Sequence, residues 1–281
     1  MSTLIGCLDK MAISPGTSAN HDVPVAEYHL PLNDHRVDMN ALIGKPIQLR
    51  FTGIIRCTHC QRKTNKSFNQ GYCFPCFKKL AQCDNCIVSP EKCHLHLGTC
   101  REPDWAASHC QTDHIIYLAN SSGIKIGITR ATQMPTRWLD QGAIQALPIA
   151  RVATRYQSGL FEVMCKAFVA DKTDWRALLR SDAVPVDLAQ KRDSLLIQTA
   201  AAIQQLQSQF GLAAIQLLTD AETQHFSYPV QQYPAKIATL NFDKNPLVEG
   251  VLTGIKGQYL FFADSALNIR KFTAYEVELA F

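Results

Sequence analysis

Two pairs of cysteines carry the clearest chemical signal in the chain. Each pair has the spacing C-x2-C, and twelve residues separate the pairs. The four thiols are those of Cys57, Cys60, Cys73 and Cys76. A C-x2-C turn can place both sulfur atoms on one side of a tetrahedral Zn²⁺, and a gap of this length folds as a small ribbon. The spacing therefore predicts a structural zinc ion bound by four thiolates in a ribbon-like module.

A second group of possible metal ligands follows directly, beginning with the C-x2-C pair of Cys83 and Cys86. The residues that could complete it are Cys93, His94, His96, Cys100, His109 and Cys110. All-thiolate zinc sites are closed and structural, so we expect the second zinc to be bound by Cys83, Cys86, Cys93 and Cys100. A histidine is the alternative at either of the last two positions. Taken singly, each histidine is better interpreted as a surface residue or as a partner of a ligand.

The stretch from Phe51 to Leu80 is basic and contains no acidic residue. Its basic side chains are Arg56, Arg62, Lys63, Lys66, Lys78 and Lys79. Its interleaved aromatic side chains are Phe68, Tyr72, Phe74 and Phe77. Such a face can neutralise phosphates while its rings stack on unpaired bases, which predicts binding of DNA or RNA. The alternative is that the rings pack around the zinc and the basic groups are only solvated.

The elements that follow the cysteines predict a compact α+β core. IIYLAN and KIGITR are typical of two strands, and the intervening SSG of a hairpin turn in which Gly123 takes a positive φ. A helix is expected to start near Pro135 and to end by Gly142. IQALPIARVATRY predicts a third strand. Apolar residues at helical spacing predict a further helix over residues 158–172 and a short one around 175–179.

These strands and helices resemble the core of the GIY-YIG nuclease superfamily, in the branch whose second strand reads KIGIT. The whole chain also resembles an uncharacterised bacterial family that joins a cysteine-rich module to such a core. The resemblance covers about residues 113–172 and rests on IIYLAN, KIGITR, the TRW of the next helix and the FE of the helix after that. It matches four residues to the superfamily's motifs: Tyr117, Gly127, Arg137 and Glu162.

The motifs also depart from the superfamily pattern. Ile115 stands where the first motif usually has glycine, and Lys125 stands where most members have a second tyrosine. A late asparagine found in many members has no evident match. These departures favour a binding role over a cutting role.

The resemblance implies a phosphodiester-cleaving site. Glu162 would hold one Mg²⁺ or Mn²⁺, Arg137 would bind the phosphate, and Tyr117 would orient or deprotonate the water. Lys125 would supply positive charge or, with a pKa depressed by Arg137, share the role of base. Arg130, at the end of KIGITR, joins the residues expected to bind phosphate.

Each of these residues also has a structural interpretation. Tyr117 can be an aromatic residue packed on the sheet, and Lys125 an exposed strand lysine. Glu162 can sit in a first helical turn, where the helix dipole favours an acid. Arg137 can pair with Asp140 on its own helix.

The remaining sequence predicts β-rich ends around this core. The expected organisation is as follows: an N-terminal β segment (1–55), a cysteine-rich zinc module (56–112), the α+β core (113–182), a helical segment (183–227) and a C-terminal β segment (228–281). We expect a mobile loop at 14–24, one long helix over 186–210, and pairing of the two β segments into a barrel or a sheet.

Composition narrows the class of protein. The chain has 281 residues, of which 47% are apolar, and its formal net charge is +4, too small to identify a partner. The absence of a secretory signal and of long apolar runs predicts a soluble, cytoplasmic protein with no membrane partner. The favoured function is a zinc protein that binds DNA or RNA, with the ribosome as one possible partner. A Mg²⁺- or Mn²⁺-dependent endonuclease is the alternative, and a zinc or redox sensor is the weaker one.

Overall fold

The structure is a computed structural model that describes residues 2–16, 23–169, 175–180, 183–234 and 238–281. Most of the loop predicted at 14–24 therefore lies outside the described residues, as does the end of the helix predicted over 158–172. No helix in the described ranges is long and apolar enough to cross a membrane. The fold is mixed α+β and rich in strands.

The first half of the chain runs from strands into the cysteine-rich region. Its strands are β1 (Thr3–Cys7), β2 (Ala12–Pro15), β3 (Ala26–Leu32), β4 (His35–Asp38) and β5 (Pro46–Ile55). Two short helices follow, α1 (Phe74–Lys79) and α2 (Pro103–His109). Between them lie four single 3-10 turns, at Ala81–Cys83, Asn85–Ile87, Pro90–Lys92 and Leu95–Leu97.

The α+β core has the predicted order of strand, strand, helix, strand, helix. Its elements are β6 (His114–Asn120), β7 (Ile124–Arg130), α3 (Thr136–Asp140), β8 (Gln145–Val152), α4 (Arg155–Cys165) and α5 (Trp175–Arg180). Gly123 has the positive φ expected of the hairpin turn. Helix α4 starts three residues earlier than predicted because Thr154 and Gln157 form a capping box, in which each side chain bonds the backbone N–H of the other.

The helical segment contains two helices, α6 (Leu188–Gln198) and α7 (Ala200–Phe210), instead of the single long helix that was predicted. The helix is interrupted at Thr199, whose backbone (φ −103°, ψ 5°) is not helical and whose hydroxyl donates a hydrogen bond of 2.7 Å to the carbonyl of Leu195. A threonine that bonds back in this way weakens the regular helical hydrogen bonds. Apolar periodicity continues through this interruption, so the pattern alone did not reveal it.

Short strands complete the chain. They are β9 (Ile215–Leu217), β10 (Gln224–His225), β11 (Ala238–Thr239), β12 (Leu247–Val251), β13 (Gly254–Lys256), β14 (Tyr259–Phe262), β15 (Ser265–Asn268) and β16 (Tyr275–Ala280). The two ends of the chain meet in a sheet of order β1-β16-β5-β12. All its pairings are antiparallel, and its edges at β1 and β12 stay open. The prediction of a sheet is confirmed, and that of a barrel is wrong for the described residues.

Strand β6 lies in the interior and contributes to two hydrophobic cores. All seven of its residues are buried, and alternate side chains point to opposite faces of the sheet β10-β8-β6-β7. Ile115, Tyr117 and Ala119 belong to the core shared with the terminal sheet. Ile116 and Leu118 belong to the core under α4 and α6. The sheet is thus covered on both faces, which fixes the register of the strand.

Candidate functional site: a cysteine group and a cationic cleft

The first cysteine group converges as predicted. The sulfur atoms of Cys57, Cys60, Cys73 and Cys76 all lie within 4.8 Å of one another, and those of Cys60 and Cys73 are 3.7 Å apart. Cys57 follows β5 in a turn closed by a bond from the N–H of Gln61 to its carbonyl. Cys73 precedes the first turn of α1. The four thiols can hold one metal ion.

The surroundings of this group favour a thiolate at Cys57, whereas burial and hydrogen bonds with the other three cysteines raise the pKa of Cys76. Burial alone raises the pKa of Cys57, but hydrogen bonds from the backbone N–H groups of Cys60, Cys73 and His59 lower it to about 6. Arg62 lies beside the sulfur atoms, where the charge of Cys60 and a hydrogen bond to it raise the pKa of the guanidinium. The negatively charged sulfur atoms therefore attract Arg62. This arginine interacts with the cysteines in preference to a phosphate of a ligand.

Fewer basic side chains are available for a ligand than the acid-free stretch from Phe51 to Leu80 predicted. Arg56 pairs with Glu276 of β16 at 3.2 Å, an acid that comes from the other end of the chain. Lys63, Lys66, Lys78 and Lys79 are exposed. The ammonium groups of Lys66 and Lys78 lie 5.3 Å and 5.6 Å from the ring centroids of Phe68 and Phe74.

The aromatic residues of this face form a surface cluster. The ring of Phe68 lies 5.5 Å from that of Phe74 and 5.7 Å from that of Phe77. Helix α1 has no buried residue, and Phe74 is 51% exposed. The interpretation of these rings as a core around the metal therefore does not fit Phe74. We name Lys63, Lys66, Phe68, Phe74 and Lys78 the aromatic face.

A separate cleft of about 730 Å³ brings together the four residues predicted for the nuclease-like site. Tyr117 reaches it from β6, Lys125 from β7, Arg137 from α3 and Glu162 from α4. Arg130 also lines it, at the end of β7. Residues that are distant in sequence thus line one concave surface.

Tyr117 depends on a glycine in the neighbouring strand. Gly127 is its direct partner across β6 and β7, and a Cβ atom there would lie 2.7 Å from Cζ and Oη of the tyrosine. The phenol donates a hydrogen bond of 3.1 Å to Oε1 of Gln141, and the ring packs edge-on against Trp138. Burial raises the pKa of Tyr117, against the opposing charge of Arg137. The tyrosine is therefore a protonated hydrogen-bond donor at neutral pH.

Lys125 is buried, with only 5% of its surface exposed, so its interpretation as an exposed strand lysine is wrong. Burial, and then the charge of Arg137, lowers its pKa to about 8. Two cations thus lie close together in a region that is shielded from water. Such an arrangement destabilises the charged lysine unless an anion is present.

Two acidic residues of the cleft, Asp140 and Glu162, already have basic partners. Oε2 of Glu162 lies 3.5 Å from Nζ of Lys166, one turn along α4. Asp140 accepts hydrogen bonds from Lys10 at 2.5 Å and from Gln258 at 3.0 Å, so it is engaged by these groups and not by Arg137 as the structural interpretation held. These carboxylates therefore neutralise only part of the positive charge of the cleft.

Three cationic residues of the cleft were missed in the sequence: Lys10, Arg155 and Arg270. Nε of Arg270 donates to Oε1 of Gln70 at 2.6 Å, and Nη2 of Arg155 donates to the carbonyl of Ile87 at 2.5 Å. Both bonds tie the cleft to the cysteine-rich region. No local pattern marks these residues, because their partners are 68 to 200 residues away.

The cleft therefore carries an excess of positive charge. Its basic side chains are Lys10, Lys125, Arg130, Arg137, Arg155 and Arg270, and its acidic side chains are Asp9, Asp140 and Glu162. Burial, and then the charge of Arg137, lowers the pKa of Arg270. Burial likewise lowers the pKa of Arg155, whose Nε is buried with no hydrogen-bond partner among the described residues.

The second predicted cysteine set does not converge as a whole. Within the described residues, the second group of ligand atoms within 4.8 Å is that of Asp84, Cys86 and His94. Cys83 instead lies near Asn69 and Cys57. The other histidines have packing roles: His96 lies against Tyr156, and His109 stacks on Trp105.

Fold and site together define an α+β protein that joins a four-cysteine group, able to hold a metal ion, to a cationic cleft. The chain belongs to the DUF2797 family, described as a protein of unknown function, whose model matches residues 44–277. The match includes both cysteine groups and all of the cleft except Asp9 and Lys10. No curated protein and no solved structure matches the chain.

The cysteine geometry predicts the effect of removing one ligand. Cys73→Ser should release the metal of the first group and unfold the loops around it, because three thiolates leave the tetrahedral shell open. Metal content per chain, measured by mass spectrometry, and the far-UV circular dichroism spectrum check this. Cys7→Ser, which changes a cysteine outside both groups, is the control. A Cys73→Ser protein with unchanged metal content would contradict the assignment.

Proposed function

We propose that this protein is a zinc protein that binds DNA or RNA by holding backbone phosphates in the cationic cleft. The observation that carries the proposal is the convergence of Lys125, Arg130, Arg137, Arg155 and Arg270 on one concave surface. The zinc would occupy the first cysteine group, since four thiolates at this spacing are typical of structural zinc sites.

The electrostatics of the cleft support an anionic ligand. Burial, and then the charge of Arg137, lowers the pKa of both Lys125 and Arg270, so Arg137 repels each of these two cations. A phosphate placed among them would turn this repulsion into attraction and would give the buried Nε of Arg155 an acceptor. Arginine suits this role because its planar fork can bind two phosphate oxygens at once.

A polymer is supported over a small phosphate compound by the aromatic face. The turn that joins this face to the cleft contains Asn69 and Gln70, which line the cleft, and it begins at Phe68. Exposed rings flanked by lysines can stack on unpaired bases while the lysines contact phosphates. A strand leaving the cleft past this turn would meet Phe74, whose ring is 51% exposed.

The strand order of the core supports a GIY-YIG-like fold. Three antiparallel strands in the order β7-β6-β8 are followed by α4, and Tyr117 and Gly127 face each other across β6 and β7. This cross-strand pair corresponds to two of the four motif positions that the sequence matches. Lys125, at the position of the missing tyrosine, adds a cation in its place.

Metal-dependent cleavage is the second candidate function, and the presence of Glu162 in the cleft beside Tyr117 favours it. Glu162 would hold Mg²⁺ or Mn²⁺, which would supply charge stabilisation on the phosphate oxygens. Arg137 would orient the phosphate, and the Tyr117 hydroxyl would donate a hydrogen bond to it.

Two substitutions separate the binder from the nuclease. Arg137→Ala should weaken nucleic-acid binding roughly 10- to 100-fold, because a charge-assisted contact contributes about 1.5 to 3 kcal/mol. Glu162→Ala should leave binding intact, since it removes only an acid. Fluorescence anisotropy with DNA and RNA probes measures both, and Lys244→Glu is a control at an exposed lysine that lines neither site. Mg²⁺-dependent cleavage that disappears in Glu162→Ala would establish the nuclease instead.

The buried lysine predicts a pH dependence. With a pKa of about 8, Lys125 loses its charge as the pH rises from 7 to 9, so affinity should fall over this range. Bound phosphate raises the pKa of Lys125, so the fall in affinity extends to higher pH. Lys125→Met should bind more weakly at pH 7 and should lack the pH-dependent step. An identical pH profile in Lys125→Met would contradict this role.

The same pKa has the opposite effect on folding. The unfolded chain keeps this proton up to about pH 10.5, the ordinary lysine value, whereas the folded chain loses it near pH 8. The contribution of Lys125 to the free energy of unfolding therefore rises with pH between these values. Falling affinity with rising stability distinguishes a lost phosphate contact from general unfolding.

The aromatic face predicts a salt-dependent contribution. Reversing Lys63 and Lys66 to Glu should lower affinity and reduce the slope of log affinity against log salt, by about 0.7 to 0.9 for each lost phosphate contact. The melting temperature should stay unchanged because both side chains are exposed. Anisotropy titrations from low to physiological salt test this. No measurable binding of wild-type protein to any probe at low salt would refute the proposed function itself.

A further inference from the structure

Asp84, Cys86 and His94 are brought together by two short turns of the cysteine-rich region. Asp84 and Cys86 lie two residues apart, at the start of the 3-10 turn Asn85–Ile87. His94 directly precedes the 3-10 turn Leu95–Leu97. One ligand atom of each of the three residues lies within 4.8 Å of those of the other two. Cys86 is buried and the other two residues are half-buried, so solvent can reach one side of the group.

The imidazole ring of His94 is oriented by Thr99. The hydroxyl of Thr99 donates its single proton to the carbonyl of His94 at 3.3 Å, and its oxygen lies 2.8 Å from Nδ1 of the ring. Because that proton is used, Nδ1 must be the donor in the second contact. The neutral ring then carries its lone pair on Nε2. This is the arrangement of metal-binding histidines, in which one ring nitrogen donates to a fixed acceptor and the other binds the metal.

The distance between His94 and Asp84 suits a metal ion that both residues bind. Nε2 of His94 lies 3.5 Å from Oδ2 of Asp84. An N–H···O hydrogen bond is shorter, at about 2.7 to 3.2 Å. Two ligand atoms bound at about 2.0 to 2.2 Å around tetrahedral zinc are instead separated by about 3.4 Å. A lone pair and a carboxylate that face each other repel, and a cation between them removes this repulsion.

Asp84 is held in place by a residue outside the group. Its Oδ2 accepts a hydrogen bond of 2.7 Å from Nε of Arg101. Nη1 of the same guanidinium donates to the backbone carbonyls of Phe77 and Leu80, both at 3.2 Å. A carboxylate has about four lone-pair sites, so the bond from Arg101 leaves positions for a metal ion. Carboxylates that bind metals are commonly fixed by a further hydrogen bond of this kind.

We propose that Asp84, Cys86 and His94 bind a second zinc ion, with a water molecule as its fourth ligand. Thiolate, imidazole and carboxylate are all zinc ligands, whereas Mg²⁺ and Ca²⁺ prefer oxygen. The thiol of Cys86 would lose its proton to solvent when the metal binds. Three protein ligands leave one coordination position open, in contrast to the closed sites of structural zinc. This site is independent of the proposed nucleic-acid binding and of the first cysteine group.

The test is the zinc content of the full chain after incubation with zinc and removal of unbound metal. His94→Ala should contain one zinc ion per chain fewer than wild type. The side chain of His94 is 27% exposed, so its removal should leave the fold intact. His96→Ala is the matched control, because His96 lies two residues away and packs against Tyr156. It should keep the zinc content of wild type.

Equal zinc content in His94→Ala and in wild type would overturn the assignment. The group would then be an ion pair between a protonated His94 and Asp84, with no metal ion between them.

A second measurement covers the case in which His94→Ala fails to fold. X-ray absorption at the zinc edge of the zinc-loaded wild-type protein should show nitrogen or oxygen ligands at about 2.0 to 2.2 Å beside sulfur ligands at about 2.3 Å. The first cysteine group supplies only sulfur, so the nitrogen and oxygen ligands have to come from the second site. A first shell of sulfur atoms alone would overturn the assignment.

Discussion

Repulsion between like charges in the cleft is the constraint on which the rest of the structure depends. Lys125, Arg137 and Arg270 line the same cleft, and the charge of Arg137, after the larger effect of burial, lowers the pKa of the other two. Such a cluster persists only where packing and hydrogen bonds hold it. Gln70 holds Arg270, Ile87 holds Arg155, and the ring of Trp138 stands fully buried one residue beyond Arg137. The fold thus keeps positive charge where a ligand can neutralise it.

The cysteine-rich region has few apolar side chains with which to form a core of its own. Helix α1 is six residues long and buries none of them, and the four 3-10 turns that follow have three residues each. Segments this short cannot form a stable core alone, and a metal held by the four cysteines would supply cross-links between them. Because Gln70 and Ile87 lie in this region, such a metal would also help to fix the groups that bond Arg270 and Arg155 in the cleft. The cysteine-rich region and the cleft are therefore connected through these two hydrogen bonds.

Local patterns predicted the parts of this molecule that depend on neighbours in sequence. The hairpin of β6 and β7, the capped end near Gly142 and the first cysteine group all follow from spacings of a few residues. Contacts between residues that are far apart in the sequence could not be predicted. Arg56 meets Glu276, Arg270 meets Gln70 and Asp140 meets Lys10, and none of these pairs shares a local signal. Cys83 shows a further difficulty, because its spacing to Cys86 fits a metal site although its surroundings do not.

The protonation states of Tyr117 and Lys125 are the reason for proposing that the cleft binds nucleic acid without cutting it. A water nucleophile needs a base, and the phenol of Tyr117 is unsuited because burial raises its pKa. Burial, and then the charge of Arg137, lowers the pKa of Lys125 to about 8. A bound phosphate supplies a negative charge at the same place, which raises the pKa of Lys125 and keeps it protonated. The substrate would therefore inactivate the base that its own cleavage requires, whereas the same protonation strengthens binding.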